Sequence, residues 1–176
     1  MSDFIAYFLE AEGPSDLDPE VETRTPIRYV EAFRELMGKN DPEWSFTTFE
    51  SDIDEMILVK DLQFVTLCEH HLLPFAGKAH VAYIPQGRIA GLSKIARAVR
   101  HVCRGLWTQE SLTQSIADFL EERLHPLAVG VIMEAEHSCM VIRGIKAAGS
   151  KTTTSAMRGV FRDNTNIARS ESLGLL

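Results

Sequence analysis

Residues 56–85 read MILVKDLQFVTLCEHHLLPFAGKAHVAYIP, and this segment decides the fold class. Two runs rich in β-branched and aromatic residues, MILVKDLQFVTLC and FAGKAHVAYIP, stand on either side of the short break EHHLLP. Partial alternation of apolar and polar residues in each run is typical of β-strands with one buried face. The segment therefore predicts an antiparallel sheet, and the preceding run WSFTTFES, residues 44–51, predicts a further strand.

Two consecutive helices are expected after this segment. Apolar residues recur at helical spacing from Leu92 to Leu106, and Thr108 is placed to cap a second helix that ends before Pro126. Strand patterns return afterwards, in LAVGVIMEAE, CMVIRGIKAA and SKTTTSAMRGVF, the last as an edge segment. The order of helix, strands, two helices and strands predicts an α+β domain rather than alternating βαβ units.

Residues 1–24 are expected to form an N-terminal helical arm. The stretch is acidic, contains two prolines and has no sustained period, although a short helix is expected near Phe4. Thr25 and Pro26 then have the positions of an N-cap and a first helical residue, in a helix that ends at Gly38. The organisation predicted is an arm over residues 1–24 and a single catalytic domain over residues 25–176.

The composition excludes several classes of protein. A chain of 176 residues with 45% hydrophobic residues is long enough to bury a core, and a net charge of −7 argues against nucleic acid as a partner. The N-terminus lacks a signal-peptide pattern and no run is long enough to span a membrane, so a cytoplasmic protein without a membrane partner is expected. Residues 1–56 contain 15 acidic and 4 basic side chains, against 10 and 14 in the remainder. The second part can therefore hold a small polyanion.

Two groups of cysteine and histidine predict a metal site. Cys68-Glu69-His70-His71 closes one strand-like run, and His137-Ser138-Cys139 lies between two others. Thiolate and imidazole ligands suit zinc, and three protein ligands with a free position are typical of a catalytic centre. With Cys68, His71 and Cys139 as ligands, two histidines remain for proton transfer. The alternative is that these are two buried structural cysteines beside ordinary polar histidines. Cys103 is expected to be a packed thiol, and His80, His101 and His125 to be structural or solvated.

A second pattern predicts an anion site where Gly91-Leu92-Ser93-Lys94 opens a helix. Free backbone N–H groups and the helix dipole attract anions there, and residues 88–104 contain no acid. The alternative is a solvated basic face. Glu110, near the start of the next helix, has a carboxylate that can accept hydrogen bonds from N1–H and the amine of guanine, or can act only as a favourable first-turn acid.

Several motifs, taken in chain order, resemble the type I GTP cyclohydrolase family. The resemblance extends from about Thr25 to Phe161, and agreement of separate motifs in one order is more specific than any single motif. The motifs are Cys68-Glu69-His70-His71, Ala82-Tyr83-Ile84-Pro85, Gly91-Leu92-Ser93-Lys94-Ile95, Leu106 to Gln114, His137-Ser138-Cys139, Arg143-Gly144-Ile145 and Thr152-Thr153-Thr154-Ser155.

The resemblance implies a tunnelling fold (T-fold), in which a four-stranded antiparallel sheet and two helices assemble into a β-barrel ring. It also implies a homodecamer of two pentameric rings with active sites between subunits. The implied reaction is zinc-dependent hydrolytic opening of the imidazole ring of GTP, with release of formate and rearrangement to 7,8-dihydroneopterin triphosphate.

The resemblance also implies roles for individual residues. The zinc ligands correspond to Cys68, His71 and Cys139, and the catalytic group to His70, His137 and Ser93. The triphosphate contacts correspond to Ser93, Lys94, Arg97, Arg143 and Arg28, and the guanine contacts to Gln109 and Glu110. In the implied mechanism His137 protonates N7 of the purine, and His70 serves further proton transfers.

Two other functions remain open from the sequence. One is a relative on the same fold with a different pterin or deazaguanine substrate, although the Cys-Glu-His-His pattern disfavours the nitrile reductases of that superfamily. The other is a zinc-stabilised nucleotide-binding module without turnover, which product formation from GTP would distinguish.

Overall fold

The computed structural model describes residues 1–14, 16–38 and 44–162. The chain divides between residues 42 and 43 into two compact units. No helix of the described residues is long and apolar enough to cross a membrane.

The described residues of the N-terminal unit form two helices, α1 (Ser2–Glu12) and α2 (Pro19–Leu36), which pack against each other. The expected helix start at Thr25 is wrong, because Asp18 and Pro19 already supply a cap and a first-turn proline. The Asp18 carboxylate accepts a hydrogen bond from the Glu20 backbone N–H at 2.7 Å. Pro26 therefore lies inside α2, where it cannot donate the usual backbone hydrogen bond.

The second unit contains a five-stranded sheet, a two-stranded sheet and three helices among its described residues. The elements of the main sheet are β2 (Ile57–Cys68), β3 (Pro74–Ile84), β5 (Leu106–Trp107), β6 (Ala128–His137) and β7 (Thr152–Gly159). The smaller sheet pairs β1 (Thr48–Glu50) with β4 (Arg88–Ala90), and the helices are α3 (Leu92–Val102), α4 (Gln109–Leu124) and α5 (Ser138–Val141).

The main sheet has the order β5-β2-β3-β6-β7. All of its pairs are antiparallel except the short parallel pair of β2 with β5. The predicted α+β class, with an antiparallel sheet and two consecutive helices, is confirmed. Four antiparallel strands and two helices are also the unit that the resemblance describes for the tunnelling fold.

The core lies between one face of the sheet and the helices α3 and α4. Alternate residues of β3 and β6 point into it, as the period of a strand requires. Its largest fully buried side chains include Tyr83, Phe75, Met133, Ile95, Leu112, Ile116 and Leu120. The opposite face carries a small apolar cluster around Phe161, which belongs to a short 3-10 helix, Val160–Arg162.

Three segments depart from the expected elements. The run CMVIRGIKAA, residues 139–148, is not a strand, because it forms α5 and turns in which Gly144 and Lys146 adopt positive φ. Only Thr48–Glu50 of the run at residues 44–51 is a strand, and it pairs outside the main sheet. Leu106 lies in β5 rather than at the end of a helix, since α3 ends at Val102. The tail at residues 166–176 lies outside the described residues.

Candidate active site

The candidate metal ligands meet at one end of the inner strands of the main sheet. Ligand atoms of Cys68, His71 and Cys139 all lie within 4.8 Å of one another. Cys68 ends β2, and His71 lies in the tight turn that follows, with its Nδ1 at 3.9 Å from Cys68 Sγ. Within that turn the Leu72 N–H donates to the Cys68 carbonyl at 2.8 Å, which closes the chain reversal and brings His71 back over Cys68.

The strand register explains how Cys139 comes close to Cys68 although the two residues are far apart in the chain. Strand β3 lies between β2 and β6, with Leu67 of β2 opposite Pro74 and His137 of β6 opposite Phe75. The ends of β2 and β6 therefore flank the beginning of β3. Cys139 follows directly in α5, two residues beyond His137.

The three donors fit a divalent soft-metal site. Burial raises the pKa of the Cys139 thiol, and the neighbouring Cys68 raises it further, whereas the charge of Arg143 lowers it. Two adjacent thiolates repel each other unless a cation offsets their charge, and a bound metal ion deprotonates a coordinating thiol. Two thiolates and one imidazole form a donor set that zinc prefers.

Two further histidines neighbour these ligands in sequence, His70 next to His71 and His137 two residues before Cys139. His70 is exposed, with Nδ1 at 4.0 Å from Cys68 Sγ and Nε2 at 3.7 Å from a carboxylate oxygen of Glu69. His137 is half-buried, and its ring stacks on Phe75. Burial lowers the pKa of His137, and the nearby charge of Glu110 opposes that shift. Glu110 therefore lies within electrostatic range of His137.

Gln109 and Glu110 are adjacent in sequence but differ in environment. Gln109, the first residue of α4, is 1% exposed, and its Oε1 lies 2.7 Å from His137 Nε2. Its Nε2 donates to the carbonyls of Met133 and Thr152. Glu110 is exposed, and the preceding cap is the expected Thr108, whose hydroxyl accepts from the Ser111 N–H. The carboxylate of Glu110 thus remains accessible, whereas the amide of Gln109 is already used within the protein.

The start of α3 has the features of the expected anion site. Its N-cap is Gly91, which has no side chain to satisfy the first backbone N–H groups. Ser93 and Arg97 are exposed, and Lys94 Nζ donates to the Ser45 carbonyl at 2.8 Å. Arg143 is exposed in the turn after α5, close enough to Cys139 to affect the pKa of that thiol.

Arg28 belongs to α2 of the N-terminal unit. Its guanidinium pairs with the Glu20 carboxylate at 2.8 Å, and both side chains are exposed. An exposed pair of this kind contributes about 0–1 kcal/mol, so Arg28 can exchange this partner for another anion.

The cysteine and the three histidines that were expected to lie outside the site have other surroundings. Burial raises the pKa of the Cys103 thiol to about 12, as for a packed thiol. His80 Nδ1 accepts from the Asp61 N–H, the His101 ring packs edge-on to Trp44, and His125 ends α4 with a φ of 47°.

Sequence reasoning missed Phe75 as part of the site and missed the link from Gln109 to His137. The aromatic character of Phe75 indicated only a strand. Its place against His137 depends on the pairing of β3 with β6, which no local pattern specifies.

Two cysteines and one histidine, with a position left for water or substrate, form a donor set found at catalytic metal centres of enzymes. A family model described as GTP cyclohydrolase I matches residues 1–175. The GTP cyclohydrolase 1 of Listeria monocytogenes is 48% identical over 180 residues, covering 100% of this chain and 94% of the relative. That of Geobacillus kaustophilus is 47% identical over 176 residues, covering 98% and 93%. The chain therefore belongs to the GTP cyclohydrolase I family.

Among solved structures, the chain is similar to the crystal structure of the archaeosine synthase QueF-Like in the apo form. The TM-score is 0.49 at 17% sequence identity, over 59% of this chain and 93% of that chain.

Proposed function

We propose that this protein converts GTP to 7,8-dihydroneopterin triphosphate with release of formate, as a zinc-dependent enzyme. Membership of the GTP cyclohydrolase I family supports the reaction. The single observation that carries the site assignment is the cluster of Cys68, His71 and Cys139, whose ligand atoms lie within 4.8 Å of one another.

Zinc is the proposed cofactor, held by Cys68, His71 and Cys139. A zinc ion with three protein ligands keeps one position for water and lowers the pKa of that water toward neutrality. The exposed His71 and the half-exposed Cys139 leave the cluster open on one side. This openness supports a catalytic rather than a structural role.

The proton transfers are assigned to the two other histidines, His70 and His137. His137 donates a proton to N7 of the purine, which makes C8 more electrophilic, and it lies in a half-buried position where water competes poorly. His70 is exposed next to Cys68 and serves the later transfers as the ring opens. Ser93 assists the ribose rearrangement that precedes closure of the pterin ring.

Guanine recognition is assigned chiefly to Glu110. Its exposed carboxylate can accept one hydrogen bond from N1–H and one from the 2-amino group, whereas adenine presents no matching pair of donors. Its electrostatic effect on His137 supports a base bound between the two side chains. Gln109 remains a proposed contact through its backbone, because its side-chain amide is committed elsewhere.

The triphosphate is assigned to one hydroxyl and four cations. Ser93, Lys94 and Arg97 lie on the first turns of α3, where the helix dipole also favours an anion. Arg143 lies near Cys139. Arg28, which belongs to α2 of the N-terminal unit, is a proposed phosphate contact on the family resemblance alone. Lys94 must then exchange its hydrogen bond with the Ser45 carbonyl for a phosphate oxygen, which is favourable because that oxygen is charged.

A cytoplasmic homodecamer with active sites between subunits is the proposed assembly, without nucleic acid or membrane as a partner. The proposal follows from the family and from β7, which is an edge strand in the single chain. Light scattering should give a particle much larger than a dimer, and an active monomer would contradict shared sites.

Incubation of the zinc-loaded protein with GTP tests the function. We expect formate and a product that becomes fluorescent like a pterin after oxidation, with no product from ATP. Removal of zinc by a chelator should abolish turnover, and added zinc should restore it. Binding of GTP without any product would instead favour a nucleotide-binding module.

A further inference from the structure

We propose that Gln109 is a positioning residue, which holds a proton on His137 Nε2 and so leaves Nδ1 as the nitrogen that delivers the proton to substrate. The inference rests on the proposed function and extends it. It replaces a side-chain contact between Gln109 and guanine with an action through His137.

The hydrogen bonds of Gln109 fix the orientation of its amide. Nε2 lies 3.1 Å from the carbonyl oxygen of Met133 and 2.9 Å from that of Thr152, with Thr154 Oγ1 at 3.2 Å. Carbonyl oxygens only accept hydrogen bonds, so the NH2 group must face them. The reversed amide would place its own oxygen against two carbonyls and leave both without a donor in a buried site. Oε1 is therefore the atom that faces His137.

This orientation determines which nitrogen of His137 carries a hydrogen. Gln109 Oε1 lies 2.7 Å from His137 Nε2 and has no hydrogen to give. The imidazole must therefore donate from Nε2. In the neutral ring Nδ1 then has the lone pair, and in the charged ring Nδ1 carries the second proton. In both states, the proton that the ring gains or loses is the one on Nδ1.

Hydrogen bonds from neighbouring threonines help to hold Gln109 in place. Thr113 Oγ1 donates to the Gln109 carbonyl at 2.7 Å and lies 2.6 Å from Thr154 Oγ1. Thr113 is buried, so this network is shielded from water. Phe75 fixes the plane of the His137 ring, and Gln109 fixes its rotation within that plane. The two contacts together leave the ring one orientation.

The proton transfer is then fully assigned. The Nδ1–H bond of the His137 imidazolium breaks, an N–H bond forms at N7 of guanine, and the ring becomes neutral. The Nε2–H bond stays intact and remains directed at Gln109. Misplacement of a catalytic group by about 1 Å can cost about 10²-fold in rate, so loss of Gln109 should affect kcat strongly.

Two variants of Gln109 separate positioning from structure. Gln109→Met has a similar shape but no polar atom, whereas Gln109→Glu keeps an acceptor for His137 and loses the donors to Met133 and Thr152. We expect kcat to fall by about 10²-fold in Gln109→Met, with KM for GTP changed much less. Gln109→Glu should keep the higher kcat of the two variants and have the lower Tm. Leu120→Ala is the control, because it leaves a cavity in the core under α4 without touching Gln109 or His137, and it should lower Tm while kcat stays near wild type.

Solid-state NMR of zinc-loaded protein with 15N-labelled histidine provides a readout that does not depend on turnover. The wild type should have His137 protonated on Nε2 and unprotonated on Nδ1 in its neutral form, with His137→Ala used to assign the signals. Gln109→Met should show a mixture of tautomers. A wild-type ring protonated on Nδ1, a kcat that follows Tm across all three variants, or a raised KM with unchanged kcat would each overturn the proposal. Absence of GTP turnover by the wild type would refute the proposed function, whereas the tautomers would still test the Gln109–His137 contact.

Discussion

The rings of Phe75 and His137 stack face to face, with centroids 4.4 Å apart and planes 8° apart. The two residues are direct partners in the register of β3 and β6. A fully buried aromatic ring thus forms the floor under a histidine that is only half-buried. The sheet itself therefore orients the proposed proton donor.

Phe75→Leu tests this orientation. The change removes the flat surface under His137 and leaves unfilled volume in the core, so Tm should fall by the equivalent of about 1–3 kcal/mol. Turnover of GTP should also fall, because the ring can tilt. Phe161→Leu is the control, since Phe161 is equally buried in the separate cluster on the other face. An equal loss of kcat in both variants would mean that the effect is one of stability alone.

Cys139→Ser tests the proposed zinc site. Serine offers a poorer zinc ligand than a thiolate, so metal analysis should find a substantial loss of zinc and of activity. Cys103→Ser provides the comparison, because that thiol is buried with a pKa raised to about 12 and lies outside the cluster. It should lower Tm and keep the metal. Full zinc occupancy with normal turnover in Cys139→Ser would show that Cys139 is not a zinc ligand.

His137→Ala should retain zinc and lose most turnover. General acid catalysis contributes about 10²- to 10⁴-fold, and kcat should fall within that range. His125→Asn is a suitable control, since His125 ends α4 in the left-handed region that asparagine tolerates. Its activity should match that of the wild type. Unchanged turnover in His137→Ala would assign the proton donor to another residue.

Glu110→Gln tests base selection. A site built around paired polar groups can reject the wrong substrate by roughly 10⁴-fold, so kcat/KM for GTP should fall severely. A first-turn acid affects stability by only about 0.3–1 kcal/mol through the helix dipole, and Tm should therefore barely change. Zinc content should also stay constant. Glu122→Gln changes another exposed carboxylate of α4 and should leave kcat/KM unaltered. Near-normal GTP turnover in Glu110→Gln would mean that Glu110 does not recognise guanine and is only a first-turn acid of α4.

The elements that could be predicted from the sequence are those whose signals are local. The cap at Thr108 lies next to the helix that it begins, and the strand patterns around residues 56–85 lie within single strands. The meeting of Cys68, His71 and Cys139 could be predicted because two distinctive groups of cysteine and histidine each stand at a strand end. The start of α2 was predicted wrongly at Thr25-Pro26, because a cap and proline of the same kind, Asp18-Pro19, begin the helix earlier in the chain.

The contacts that could not be predicted join residues far apart in the chain. Gln109 reaches Met133, His137 and Thr152 at sequence separations of 24, 28 and 43 residues. These contacts depend on how α4 lies on β6 and β7, which the pattern of apolar residues specifies only as a face. A buried polar residue at the first position of a helix looks the same in sequence as an exposed one.

Because the three cysteines differ in their exposure to solvent, the chemical reactivity of one of them can report metal occupancy. Burial raises the pKa of the Cys103 thiol to about 12. Cys103 and Cys68 are both buried, whereas Cys139 is partly open to solvent. An alkylating reagent applied to the native protein should therefore modify Cys139 first. A metal ion bound to that sulfur would block the reaction, so the rate of labelling at one residue, read by mass spectrometry, measures how tightly the ion is held.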